Sequence, residues 1–320
     1  MAHEIDTTTG KAAMAYRGDR PWHGLGQQLK EGATIDEWTV SAGLNFECMK
    51  VNVEFTVDST KRFAWTERNV LFRSDTLHPL SVVSSDYRVV QPRQVMDFFR
   101  ALSEKSKATM ETAGALYGGR VIWALARLQG DTDVMDDKIA PYLMLSTSYD
   151  MSTPTVAKMV ATRVVCANTI AIALNETGQR QVKIPHSTDF NPDEVRMGME
   201  ISFNEYEKFI INARKLAARP FSKDEMDAYL IKLLSPAKGE VDPEVVRKSK
   251  TFQIIMDMFN GTQIGADQDA VKGTAWGALN AATQYIDHIK GRNQNARLLD
   301  AWFQMGAKFK ERALDLVLAG

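Results

Sequence analysis

The prevailing period of the hydrophobic pattern changes near residue 193 of this 320-residue chain, and that change constrains the fold more than any other feature. Between Phe46 and Val165 apolar residues tend to alternate with polar ones, as a half-buried strand requires. From Asp193 onward they recur at helical spacing. Alternation followed by a 3.6-residue period predicts an α+β fold. An N-terminal mixed region should hold an antiparallel sheet, ordered β-β-β-α and then hairpins, and an all-helical C-terminal region should follow.

Local signals mark the elements. Thr34 and Glu37 have capping-box spacing and start a short helix through about Ala42. Phe46–Val57, Arg62–Arg73 and Leu80–Val90 read as three strands. Pro92 suits the first turn of a helix whose Val95, Met96, Phe98, Phe99 and Leu102 share a face. Thr109–Leu116 and Arg120–Leu128 flank Tyr117-Gly118-Gly119, where glycines supply the positive φ of a hairpin tip. Pro141–Tyr149 and Thr155–Val165 read as two more strands, and Ala167–Leu174 as a short helix.

Helices are expected over Asp193–Ala218, Ser222–Leu234, Pro243–Asn260, Thr274–Ile289 and Ala296–Ala319, broken at Pro220, Pro236 and Gly261. The predicted organisation is an N-terminal arm over 1–32, a sheet domain over 33–178, a linker over 179–192 and a helical domain over 193–320.

Thirty-nine basic and 40 acidic residues give a formal charge of −1, so affinity for nucleic acid must come from a local patch. The chain has no run of about 18 apolar residues and no signal-type start, which predicts a cytoplasmic protein without membrane contact. Cys48 and Cys166 cannot form a disulfide framework and read as buried thiols, and the five histidines have no metal-ligand spacing. No metal or other cofactor is expected.

From Lys61 to Arg127, eleven basic residues stand against six acidic ones, a local charge of +5. Arginine predominates, and Trp65, Tyr87, Tyr117 and Trp123 are interleaved with it. Guanidinium groups clamp phosphates and aromatic rings stack on bases, so the mixture suits a single-strand groove. It also suits two-faced strands with no ligand. Lys290, Arg292, Arg297, Lys308, Lys310 and Arg312 form a second basic stretch that reads as a solvated helix face.

Catalytic signals are thin. Cys166 or Ser146 and Ser148 lack a base held beside them, and no phosphate-binding glycine motif is present. Asp131, Asp133, Asp136 and Asp137 could gather a divalent cation for a metal-dependent nuclease, but an acidic loop explains them equally. The balance leans away from an enzyme and leaves that question open.

Several strings resemble a phage/plasmid-like family, the domain of unknown function 932. They are Pro21-Trp22-His23-Gly24-Leu25-Gly26, Ser85-Asp86-Tyr87-Arg88-Val89-Val90-Gln91-Pro92 and Glu111 to Arg120, then Thr162 to Thr169, Pro185-His186-Ser187 and Gly273 to His288. One departure is Asp150-Met151, where the family is expected to carry Asp-Gly. The resemblance implies a mobile-element setting and no settled activity. At fold level, the β-β-β-α order and Gly-tipped hairpin are similar to single-strand annealing proteins of the Rad-fifty-two and phage Red-beta kind.

The expected function is therefore an oligomeric single-stranded DNA-binding protein of the annealing type, forming a ring or filament. Arg73, Arg88, Arg93, Arg120, Arg127, Lys158 and Arg163 are expected on phosphates, and Tyr87, Tyr117 and Trp123 against bases. A phage exonuclease or host single-strand-binding protein is a conceivable partner. The competing expectation is a host-interaction or anti-defence protein that binds another protein through its helical region.

Overall fold

The computed structural model describes residues 5–18, 24–106, 108–163, 169–171, 181–236, 241–291 and 297–319. The first half contains β1 (Met14–Tyr16), β2 (Gln27–Gln28), α1 (Ile35–Ser41), β3 (Cys48–Val57), β4 (Lys61–Arg73), β5 (Pro79–Ser84), α2 (Pro92–Ser106), β6 (Thr109–Leu116), β7 (Val121–Arg127), β8 (Thr132–Val134), β9 (Asp137–Ser148) and β10 (Thr155–Arg163). Then come β11 (Thr169–Ala171), β12 (Val182–Ile184), α3 (Pro192–Ala218), α4 (Lys223–Leu234), α5 (Pro243–Arg247), α6 (Lys250–Asp257), α7 (Ala275–Gln284), α8 (Arg297–Phe303) and α9 (Met305–Ala319). The fold is mixed α+β with largely antiparallel sheets. Among the described residues, no helix is long and apolar enough to cross a membrane.

One sheet pairs in the order β11-β10-β9-β7-β6-β1-β2, with β12 on β10 and β8 on β9; the other is β3-β4-β5. Two compact units result. The first comprises Met1–Gln129, Tyr142–Lys158 and Gln181–Met199, and the second Gly130–Pro141, Met159–Arg180 and Glu200–Gly320.

In the first unit, helix α1 starts as its sequence dictates: the Thr34 hydroxyl accepts from the Glu37 amide, and the Glu37 carboxylate accepts from the Thr34 amide at 2.7 Å. Helix α2 buries Val95, Met96, Phe98 and Phe99, with the two phenylalanine rings edge to face. β6 and β7 form the expected hairpin, and Tyr117 (φ 54°), Gly118 (71°) and Gly119 (93°) make its tip. Gly114 is also required, because a Cβ there would lie 2.5 Å from the buried Trp123 ring.

The supposed N-terminal arm is partly sheet: β1 is buried and pairs with β6. Its pattern, Met-Ala-Tyr among Gly and Thr, is too short to show a period. The segment 179–192 likewise contributes β12, paired with β10. The short helix expected over Ala167–Leu174 is corrected, since Thr169–Ala171 forms β11 antiparallel to β10; the rest of that stretch lies outside the described residues. Main-chain pairing with a neighbouring strand overrides a weak local helix preference there.

The second unit is built around α7, every residue of which is buried. A Cβ at Gly277 would meet the Val271 carbonyl oxygen at 1.9 Å, so only glycine lets the helix approach that closely. Trp276 lies edge to face with Phe209 and donates its indole N–H to Asp137 at 2.8 Å. The expected Pro243–Asn260 helix is α5 and α6 followed by a π-helical turn containing Gly261, and Thr274–Ile289 likewise ends in a π-helical turn. Lys310 and Asp287 form a buried ion pair at 2.7 Å.

The departure at Asp150-Met151 has a backbone consequence. Met151 adopts φ 61° on an exposed turn, a left-handed conformation that glycine takes without a Cβ clash. Met151→Gly is therefore expected to stabilise the protein by about 0.5–1 kcal/mol, read as a higher melting temperature. An unchanged or lower value would show that Met151 makes a compensating contact.

Candidate nucleic-acid interface

Strands β3 and β4 form a long two-stranded ribbon, and its two ends have different environments. At the base, alternation turns Leu71 and Val83 into the core, where neither is exposed. Beyond Asn52 the register shifts: Asn52 pairs with Asn69, but Val53 pairs with Trp65. Thr66, Glu67 and Arg68 are thus extra residues on β4, a three-residue bulge that re-aims the strand. The ribbon past this point is solvent-exposed apart from the half-buried Val53, and it closes in a turn with Asp58 (φ 53°) and Ser59 (φ 59°) left-handed.

Alternation along β3 puts Met49, Val51, Val53, Phe55 and Val57 on one face, and the cross-strand pairs add Phe63 and Trp65. Phe55 and Phe63 stack with centroids 5.5 Å apart and are 51% and 47% exposed. Trp65 is 46% exposed, with the Arg68 guanidinium 5.5 Å from its ring centroid. Lys61 and Arg62 lie on the same strand; Arg62 faces Glu54 at 3.8 Å in a solvent-exposed pair. An exposed aromatic row is unusual for a folded surface, since large apolar patches there mark binding sites.

The residues expected at the interface go to other places. Arg73 is 1% exposed: it donates to Asp75 at 2.7 and 2.9 Å, pairs with the equally buried Asp6, and stacks on Phe46 at 4.1 Å. Burial opposes its charge, but Asp75 and Asp6 hold its pKa above the usual arginine value. Its role is to cross-link the core, and no phosphate can reach it. Trp123, at 2%, fills the β6–β7 core against Gly114. Lys158 is buried on β10.

Tyr87, 4% exposed, donates to the Ser148 carbonyl at 2.7 Å and stacks on His186 at 4.6 Å, so neither ring face is open to a base. Burial raises its phenol pKa and lowers that of His186, whose Nε2 lies 3.0 Å from the Thr153 carbonyl.

Arg88, Arg93 and Arg120 are exposed, and Tyr117 and Arg127 half-buried. Arg88 faces Asp189 at 3.7 Å and Arg93 faces Asp97 at 3.5 Å, so two of these cations already have acidic neighbours. The side chain of Arg163, the Pro21-Trp22-His23 string, Cys166 and Asn168 lie outside the described residues. Cys48 is a buried thiol, pushed up to about 12 by desolvation.

The acidic loop is occupied structurally: the Asp136 carboxylate accepts from the amides of Asp269 and Ala270, and Asp137 accepts from Trp276. Among the described residues, no group of three or more His, Cys, Asp or Glu side chains could hold a metal ion.

Sequence reasoning named Trp65 among the aromatic residues suited to stacking but not among the expected interface residues, and it did not single out Phe55 and Phe63 as a site. The available signal was Phe55 two residues before Val57 with Phe63 and Trp65 two apart on the next strand, which places all four on one face of a hairpin.

The strings that carry the family resemblance fall largely within the same span as a model match. The family described as Domain of unknown function (DUF932) matches residues 79–303. The chain belongs to this family. No curated protein and no solved structure matches it. The DUF932 match begins at β5, so the exposed part of the ribbon precedes the matched span.

Two outcomes follow. Arg73→Ala is expected to destabilise the fold by about 3–5 kcal/mol, because Asp6 is left buried and unpaired, and Arg73→Lys is not expected to restore it. Denaturant titration measures both. Separately, the lowered His186 pKa means the fold prefers neutral imidazole. That contribution is complete above about pH 6.5 and declines as pH falls below it, so His186→Phe should flatten thermal stability between pH 7 and 5.

Proposed function

We propose that this DUF932 protein binds single-stranded DNA on the exposed face of the β3–β4 ribbon, as an annealing-type protein without a nucleotide cofactor. The observation that carries this is the row Phe55, Phe63 and Trp65, half-exposed on one face with Arg68 against Trp65. Every base has a π face, so an aromatic row binds single strands with little sequence preference, while nearby cations neutralise phosphates. A base stacked on a ring keeps its pairing edge free. A complementary strand can then test it by pairing, which is the chemistry of passive annealing.

Lys50, Lys61, Arg62 and Arg68 stand near Glu54, Asp58 and Glu67 along the ribbon, so its net charge is small. Stacking must therefore supply a large share of the affinity, and the salt dependence should be shallow. With three or four phosphates neutralised, log Kd against log salt has a slope of magnitude about 2–3 for a single strand.

Fluorescence polarisation of a labelled oligonucleotide across a salt series tests this. Trp65→Ala and Phe63→Ala should each weaken binding by about 1–3 kcal/mol, roughly 5- to 150-fold, without lowering the melting temperature, because both rings lie outside the core. Arg88→Ala and Arg120→Ala should cost less. Absence of binding at low salt, or equal binding by the Trp65→Ala and native proteins, would overturn the proposal.

A further inference from the structure

The ribbon has an edge as well as a face. Among the described residues, β3 is the outermost strand of its sheet and pairs only with β4. At its base, the side-chain amide of Gln91 closes that edge: Oε1 accepts from the Cys48 amide at 2.8 Å and Nε2 donates to the Cys48 carbonyl at 2.9 Å. The Cys48 main-chain groups therefore point away from β4. Antiparallel alternation turns those of Lys50, Asn52, Glu54 and Thr56 the same way. These residues are exposed, and a long exposed strand edge is a template for another strand.

We propose that this edge pairs with the same edge of a second copy of the chain, antiparallel and centred on Asn52, joining two three-stranded sheets into one. The choice of occupant rests on self-complementarity. A two-fold pairing must set outward-facing residues opposite one another, which restricts the register to steps of two.

Centred on Asn52, Lys50 lies opposite the partner's Glu54 and Glu54 opposite the partner's Lys50, while on the apolar face Val51 meets the partner's Val53 and Met49 the partner's Phe55. Opposite charges and apolar pairs directly across strands both stabilise a ladder. Centred on Val53 instead, Lys50 would face Thr56 and Glu54 would face Asn52. Centred on Val51, Lys50 would face Asn52 and Glu54 would face Cys48, so neither charge would be matched; centred on Asn52, the ladder runs from Lys50 to Glu54 and stops short of Cys48, which Gln91 already holds. Only the Asn52 register matches both charges.

Lys50 can serve two partners. Its ammonium group donates to the Tyr87 carbonyl and lies 3.4 Å from that of Ser85, and an ammonium has three donors. Among the described residues, Glu54 is held by the long, exposed contact to Arg62. The joined strands bury less than the ~800 Å² per partner of a standard interface, so the dimer should be concentration-dependent, with Kd in the micromolar range. Because pairing uses the edge, it leaves the aromatic face available and does not depend on DNA binding.

Sedimentation velocity on the full chain, without DNA, from about 1 to 200 μM tests the proposal. The native protein should shift from monomer to dimer. Asn52→Pro removes an outward N–H that the monomer does not use, and should leave a monomer at least tenfold weaker in association. K50E and E54K each set like charges opposite one another and should weaken dimerisation similarly.

The K50E/E54K double variant, and an equimolar mixture of K50E with E54K, set unlike charges opposite again and should recover it. A general loss of folding cannot give that recovery by mixing, and circular dichroism checks each variant. A native protein that stays monomeric at 200 μM overturns the proposal. So does a dimer indifferent to Asn52→Pro and to charge reversal.

Discussion

The buried Arg73 guanidinium organises the first unit. It sits at the end of β4 and joins two distant pieces of chain, Asp6 ahead of β1 and the Gly118-Gly119 tip of the β6–β7 hairpin, whose Gly118 carbonyl lies 3.5 Å away, to Asp75 just past its own strand. A charge removed from water costs several kcal/mol unless matched, so each of these partners is fixed by the others. Gly119 belongs to the same constraint, since a Cβ there would come within 2.9 Å of the Arg73 guanidinium. Asp6 in turn donates its amide to the Ala115 carbonyl, which carries the restraint into β6. One end of the ribbon is clamped while the other is free.

Much of this architecture could be read from the sequence. Thr34–Glu37 and Ser222–Glu225 both form complete capping boxes, and the alternation of β3, β4 and β7 located those strands to within a few residues. What escaped was non-local. Met14-Ala15-Tyr16 is a strand because β6 lies beside it, and Thr169–Ala171 because β10 does. Neither segment is long enough to display a period of its own.

The site was harder to read, for a related reason. Trp123 and Trp65 stand on different hairpins in similar alternating patterns, yet one is sealed against Gly114 and the other faces solvent. Composition cannot separate them, because burial depends on what covers a strand. The summed charge of the Lys61–Arg127 segment misled in the same way. Its arginines are dispersed among partners: Arg73 with Asp6 and Asp75, Arg88 with Asp189, and Arg100 with Asp36 and Asp97. Proximity in sequence did not become a patch in space.

The three extra residues of β4 also separate two mechanical environments. On the clamped side of the bulge, Leu71, Val83 and the Arg73 cluster are buried, so substitutions there cost stability. Beyond it the described side chains are exposed apart from the half-buried Val53, so changes in sequence, length or tip there are expected to cost the scaffold little. Support and exposure are thus divided along a single hairpin, whose base is anchored in the interior and whose tip joins the scaffold through its own two strands.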